Sequence, residues 1–365
     1  AIGRKYHSGL GSKPKHSIGQ IVLGAIYHEI HGEGGMLGEH VGQISGKKIA
    51  ESSLSERRQW MDRQVFAEIM DRSLRSLADQ KRHPQAFYKG HRLLGIDGSS
   101  FSIANTAAVK EEMNKARSRR GKAAFAKIGL CVVSELGLHT PIAAAIGTDG
   151  ESEMVLARPT MERLPTDGLL LGDRYYGVGL CISRLLACCR DRTIHFLFRV
   201  RQSLKSQRLD LLSDGSWLVK VSLADGSTLQ AREIQGRILA RNGKWVDVRL
   251  WTNLLDGRSY PAAELLDLYA RRWEQEIATD ELKNKLHGGA LLKSQTPQTA
   301  AQELAALVMA QFLVAQVRAT VADSAKVPTL RVSFNKTLRH LQALWLVLEV
   351  GSDLLREKQI QLKSA

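Results

Sequence analysis

Four residues of one stretch, "YARRWEQEIATDELK", carry the side-chain types of a phosphate-handling site: Tyr269, Arg272, Glu276 and Lys283. At about 100° per residue on a helix, their spacing places them within a wedge of about 60°. A phenol, a guanidinium, a carboxylate and an ammonium would then share one stripe. Arg272 and Glu276 also fit an ordinary i, i+4 ion pair, worth about 0.3 kcal/mol on an exposed helix. Asp280, four residues past Glu276 at the edge of the stripe, adds a like charge. A cation bound nearby would turn that repulsion into shared attraction.

Two more carboxylates suit the same cation. Asp97 in "LLGIDGS" and Asp173 in "LLLGDRYYG" each follow an apolar run that reads as a strand. Each alone also reads as a plain turn residue. Taken together, they stand at carboxyl ends of strands, where ligands of α/β sheets gather. Two such aspartates and a helical glutamate make an all-oxygen anionic site, which suits hard Mg²⁺ or Mn²⁺. Two ions about 3.5–4 Å apart in such a site activate a nucleophile and stabilise the leaving oxygen of a phosphodiester.

The elements that must position these groups follow from the pattern along the chain. Residues 1–20 are rich in Gly, Lys and Ser and read as loose. From Ile21 to about Gln85 the apolar spacing is helical, with Ser53 or Ser55 as a helix cap. Arg57, Arg58, Arg63, Arg72 and Arg75 there suit either DNA phosphates or a solvated basic face. Strand-like runs "IGLCVVSEL" and "HTPIAAAIGT" follow Asp97, then a helix near 152–164, the Asp173 strand, helix "VGLCISRLLACC" and strand "IHFLFRV". Three strands and then alternating helix and strand predict a mixed α/β sheet covered by helices.

Residues 205–255 differ: Asp214-Gly215, Asp225-Gly226 and Asn242-Gly243 punctuate short Val-, Leu- and Trp-rich runs, as in an antiparallel meander. Pro261 and Gly288-Gly289 then bracket one long helix over 261–287. Helical patterns at 297–321 and 334–360 end the chain.

Bulk properties narrow the class. The 365 residues hold 52 Lys and Arg against 37 Asp and Glu, a net charge of +15 that favours a polyanionic partner, nucleic acid first. Cys131, Cys181, Cys188 and Cys189 form no C-x-x-C pair and read as reduced core residues of a cytosolic protein. The apolar runs "IVLGAI" and "LQALWLVLEV" fall short of the roughly 18 residues a bilayer requires, and the basic start has no secretory core, so no membrane is expected. No Walker loop, strand-to-helix G-x-G-x-x-G or G-x-S-x-G elbow is present.

The motif "Y-x2-R-x3-E-x6-K", met by Tyr269, Arg272, Glu276 and Lys283, resembles the signature of the IS-four family of bacterial insertion-sequence transposases. The likeness covers roughly 50–350 and is most specific over 252–313. It implies an RNase H-like core, with Asp97, Asp173 and Glu276 as a DDE triad holding two Mg²⁺, Mn²⁺ able to substitute. Tyr269, Arg272, Lys283 and Arg174 would contact DNA phosphates. The reaction implied is cleavage at the ends of an insertion sequence and transfer of the freed 3′-hydroxyl into target DNA. Terminal inverted repeats and target duplex would be the partners, a homodimer the working form, and the bacterial cytoplasm, at the nucleoid, the location.

The expected organisation is a helical DNA-binding region (1–90), a catalytic core in two parts (91–204 and 256–325) around a β insertion (205–255), and a C-terminal helical segment (326–365). Two other readings fit the same residues: a metal-dependent nuclease that cuts without joining, and an inactive DNA-binding remnant. Trp273, after the motif arginine, is read as a core aromatic. Gln275 stands where relatives carry an aliphatic residue, which predicts looser packing. His28, His31, Glu33 and His40 suggest zinc, but with no cysteine nearby they read better as a solvated loop. Asp191, Arg192 and the basic run 199–208 suit phosphate contact or surface solubility equally.

Overall fold

The computed structural model describes residues 15–32, 35–113, 117–118, 121–148, 150–189, 193–240 and 243–344. The N-terminal helices are α1 (Ile18–His31), α2 (Leu37–Ser45), α3 (Glu51–Trp60) and α4 (Arg63–Ser73). Helix α1 starts within the segment read as loose, because Ser17 and Gln20 form a reciprocal capping box. The apolar pattern after Ser53 is two helices, since Asp62 accepts the Gln64 N–H and begins α4. Neither Ser53 nor Ser55 is a cap: α3 already starts at Glu51, behind Ala50.

The strands come next: β1 (Phe87–Tyr88), β2 (His91–Ile103), and, after α5 (Ala107–Glu112), the short β3 (Arg117–Ser118) and β4 (Gly121–Lys122). Then follow β5 (Ala126–Glu135), β6 (Thr140–Gly147), α6 (Glu153–Met161), β7 (Gly168–Gly177), α7 (Gly179–Cys188) and β8 (His195–Val200). The insertion holds β9 (Gln207–Leu211), β10 (Trp217–Ser222), β11 (Thr228–Leu239) and β12 (Trp245–Thr252). Helices α8 (Ala262–Ala270), α9 (Trp273–Asp280), a π-helical turn (Glu281–Leu286) and α10 (Pro297–Ala325) complete the core. A last helix runs from 334 and is described to 344.

Among the described residues one ten-stranded sheet runs β6-β5-β2-β7-β8-β12-β11-β10-β9, with β1 beside β2. Strand β5 is antiparallel to β2 and β6, whereas β2, β7 and β8 are mutually parallel. The order 3-2-1-4-5 of the first five strands, with the second reversed, is the RNase H-like arrangement that was expected. The insertion is not a separate unit: β12 pairs antiparallel with β8 and carries the sheet onward. Asp214-Gly215 and Asp225-Gly226 make its turns with φ of 81° at both glycines, a conformation that side chains resist; Asn242 lies outside the described residues.

Alternation sorts the side chains. Leu94, Ile96, Leu170, Phe196 and Phe198 face α6 and α7 in one buried cluster, and Leu93, Leu169, Leu171 and Leu197 face α8 in another. Helix α10 is long and apolar enough to cross a membrane, but most of it is buried by the rest of the chain. Its residues Leu304 and Leu307 share one cluster with Ile21 of α1, Phe66 of α4 and Phe101 of β2. It is a core helix, each fully buried Leu or Phe contributing about 2 kcal/mol.

Candidate active site at the divergence of the parallel strands

Asp97 is not in a turn. Strand β2 continues through it to Ile103, while its parallel pairing with β7 ends at Gly95 opposite Leu171. Asp173 likewise lies within β7, one residue past the last regular pair with β8 at Gly172. Both aspartates thus stand where the parallel strands part, as ligand-binding groups do in such sheets. Parity places them on one face: Leu93, Gly95 and Asp97 in β2 match Leu169, Leu171 and Asp173 in β7. Gly95 meets Gln275 of α9, so this is the face that carries the glutamate helix.

The single helix read over 261–287 is three pieces. It breaks at Arg271–Arg272 and then, past Asp280, widens into the π turn. Gly288 and Gly289, with φ of 74° and 70°, stop it as expected. The pieces are pinned: the Tyr269 hydroxyl donates to the carbonyl of Gly172, next to Asp173, at 3.3 Å, and Gln311 of α10 donates to the Ala278 carbonyl at 2.7 Å. In the π turn, Glu281 accepts from Arg318 at 2.8 Å and pairs with His139 at 3.0 Å, all three largely buried. Lys283 donates to the Ser100 carbonyl at 2.8 Å, tying the turn to β2.

The motif residues therefore divide. Arg272 pairs with Glu276, whose side chain is 48% exposed. Tyr269 is only 2% exposed and works here as a strut between helix and strand. Arg174 is exposed beside Asp173. Trp273 is not a core aromatic: at 39% exposure it lines, with Tyr269, Arg272, Glu276, Arg199 and Leu239, a cavity of about 290 Å³ against the β11–β12 hairpin. Gln275 is buried directly on Gly95, and its side-chain oxygen has no hydrogen-bond partner there.

A further carboxylate approaches from the other side of the sheet. Glu153, in the first turn of α6, reaches over Gly98 from the opposite face of the sheet, where a Cβ would collide with it. The fully buried Tyr176 donates its hydroxyl to Glu153 at 2.5 Å. An acidic residue in a helix's first turn is ordinary in sequence, where it complements the dipole. Burial first and Glu153 second push the Asp97 carboxyl up to about 6, with Asp173 adding and Arg272 opposing. Burial also raises the Glu153 carboxyl, against the Tyr176 hydrogen bond, and Asp173 adds to the rise. Burial disfavours the Arg272 charge, but Tyr269, Glu276 and Asp173 outweigh it and raise its pKa. The guanidinium is the cation that Asp97, Asp173 and Glu276 share.

For a metal, the donor chemistry fits hard divalent ions: carboxylates with excess negative charge between them. The triad is not gathered, however. Among the described residues no three His, Cys, Asp or Glu stand together as a metal site, because Glu276 is turned to Arg272.

Residues 88–313 match the family described as the transposase DDE domain. The chain belongs to that family. It is 26% identical over 284 residues to the transposase InsG for insertion sequence element IS4 of Escherichia coli (strain K12), in line with the IS-four resemblance. That alignment covers 76% of this chain and 63% of InsG, so the DDE chain spans less than two thirds of its relative. Among solved structures, a piggyBac transposase in a synaptic complex with hairpin DNA overlaps with a TM-score of 0.48 at 9% identity. The overlap covers 97% of this chain and 76% of that one. Endonuclease V of Streptomyces avermitilis gives 0.27 at 12% identity, over 56% and 90%. The RNase H-like assignment of the DDE chain stands on its strand order, not on these overlaps.

Elsewhere the basic residues of the N-terminal helices divide: Arg58 and Arg63 brace the core, while Arg72 and, past the end of α4, Arg75 are exposed. Arg58 donates to the Thr299 carbonyl at 2.9 Å, Arg63 bonds Thr148, and Arg75 lies 5.3 Å over the Phe312 ring. The histidines read as a solvated loop sit on α1 and α2, with His28 and His40 bonded at 2.9 Å, and they form no metal site among the described residues. Of the basic run, Arg208 stacks on Trp217 at 4.5 Å. Glu33, Asp191 and Arg192 lie outside the described residues.

Proposed function

We propose that the chain is a cut-and-paste DNA transposase, cleaving at the ends of an insertion sequence and joining the freed 3′-hydroxyl to target DNA. The observation that carries this reading is the pair Asp97 and Asp173, on one face where β2, β7 and β8 diverge, beneath the helix that bears Glu276. Membership of the DDE transposase family and the net charge of +15 support it. Asp97, Asp173 and Glu276 are the residues that would hold divalent cations, Mg²⁺ first and Mn²⁺ in its place. When bound, two such ions supply activation of the attacking oxygen and stabilisation of the leaving oxygen.

The chain's own groups set the rest. Glu276 turns inward only when Arg272 is drawn away, and a DNA phosphate is the partner a guanidinium binds in two-pronged fashion. Arg174, next to Asp173, and Lys283, bonded to the Ser100 carbonyl of the Asp97 strand, add positive charge for a DNA backbone. Tyr269 keeps the helix at a fixed height over Asp173. Terminal inverted repeats and target duplex are the proposed partners, with a homodimer holding two ends together in the bacterial cytoplasm.

The test is Mg²⁺-dependent cleavage of duplexes carrying the element's terminal repeats, and joining of a labelled pre-cut end to a second duplex. Wild type should do both, and Asp97→Ala neither. Cleavage without joining would make the chain a nuclease. Activity that survives Asp97→Ala would remove the metal-site assignment.

A further inference from the structure

Helix α3 has two faces that do different work. Inward, buried Leu54 and the Arg58 guanidinium fix it to the core, Arg58 donating to the Thr299 carbonyl of α10 at 2.9 Å. Carbonyls at a helix end lack partners within the helix, and α10 supplies them here. Gln302 donates to the carbonyls of Arg58 and Met61 at 2.8 Å each, and Gln298 donates to that of Met61 at 2.8 Å. At the other end Glu51 accepts the Gly38 N–H of α2. The helix is seated on the core at both ends.

Outward it meets nothing. At about 100° per residue, Ser52, Ser53, Glu56, Gln59 and Trp60 fall within about 120° of the wheel, opposite Leu54 and Arg58. All five are exposed, and among the described residues none of their side chains has a partner. Trp60, at 84%, is the most exposed large apolar side chain among the described residues. A solvated face accounts for serines and a glutamate, but not for a nearly bare indole on a fixed helix.

The flank of this face carries positive charge without an answer. Arg57 is half-buried, and its Nη2 is shielded from solvent with no hydrogen-bond partner. A guanidinium so placed suits an anionic ligand, and a phosphate matches its fork. Lys47 and Lys48, exposed in the turn that leads into α3, add two more cations. Glu56 in the middle of the face argues against mere adhesion to phosphates, which it repels. Glutamate, glutamine and serine are instead the side chains that hydrogen-bond to base edges, and an indole offers apolar surface to a thymine methyl. The major groove, about 12 Å wide, admits a helix.

We propose that α3 is the sequence-reading helix of this chain, laying Ser52, Glu56, Gln59 and Trp60 on base edges in the major groove of the element's terminal DNA, with Arg57, Lys47 and Lys48 on phosphates. This rests on the transposase reading for the identity of that DNA.

The test selects from a library of short duplexes with a random centre, using the full chain in EDTA so that no strand is cut. Wild type should enrich one motif. Glu56→Ala and Gln59→Ala should each relax one position of it and weaken the selected duplex about tenfold by fluorescence anisotropy, with a scrambled duplex held within about twofold. Arg57→Ala should weaken both duplexes alike. Glu56→Gln keeps the shape and should move the preference at its position from cytosine to adenine, an outcome that loss of folding cannot imitate. No motif with wild type, or the same motif with Glu56→Ala, Glu56→Gln and Gln59→Ala, would overturn the proposal. Trp60→Ala addresses a protein partner: it should weaken the selected duplex and leave the mass in light scattering unchanged. A dimer lost with DNA affinity intact makes the face a protein interface and also counts against it. None of these readouts needs metal. A motif that depends on α3, in a duplex that Mg²⁺ does not lead the chain to cleave, therefore upholds the reading helix and removes the transposase assignment alone.

Discussion

At the scale of single residues, the acidic site is set by neighbours as much as by position. Asp97 is pushed up to about 6 by burial and by Glu153, against a usual 3.8. The folded state therefore prefers its protonated form. In EDTA this contribution to stability is full below pH 3.8 and is lost as pH rises through 6, a change on the order of 2 kcal/mol. Urea unfolding at pH 4 and pH 7 should show that drop, and Asp97→Asn should remove it. Tyr269→Phe deletes one buried hydrogen bond to Gly172 and should cost about 1 kcal/mol in the same measurement. The placement of Asp97 and Asp173 where the parallel strands part was legible because each follows an apolar run, whereas the single stripe of Tyr269, Arg272, Glu276 and Lys283 was not kept, because the helix breaks at Arg271–Arg272 and widens after Asp280. The approach of Glu153 was not legible, because it depends on Gly98, fifty-five residues away in strand β2. The burial of Tyr269 was equally hidden, since a phenol on a charged stripe reads as exposed until a strand packs over it.

At the scale of elements, periodicity found the strands and helices but not their interruptions. A regular spacing of apolar residues over 261–287 looks the same whether the backbone keeps i→i+4 bonds throughout or tightens at Arg271 and widens after Asp280. The π turn is held by buried charge: Arg318 on α10 reaches Glu281 at 2.8 Å and the Leu138 carbonyl at 2.5 Å. Removing one partner of a buried pair leaves the other uncompensated, so Arg318→Ala should cost about 3 kcal/mol in denaturant unfolding. If the turn sets the height of Glu276, the same variant should also lose DNA cleavage while still binding DNA. The split of α3 from α4 at Asp62 had a visible signal, an Asp two residues before a bonded N–H, but the apolar spacing continued across it and masked the break.

At the scale of the whole molecule, charge and sheet decide the behaviour. Net +15 predicts DNA affinity that falls steeply with salt. Arg174, exposed beside Asp173, should contribute one phosphate contact. Arg174→Ala is then expected to weaken binding uniformly across sequences and to reduce the log–log salt slope by about 1, read by fluorescence anisotropy. The basic residues of α3 and α4 would have been a natural place to look for that contact, but Arg58 and Arg63 are spent on bracing the core. The unbroken sheet has a last consequence, for how such a chain can be shortened or rebuilt. Because β12 hydrogen-bonds to β8, cutting out residues 205–255 would not trim an appendage. It would strip one side of β8, baring unpaired backbone beside Phe196 and Phe198, an invitation to stick to other chains. Any lineage that lost this hairpin pair would need to cover β8 with something else first.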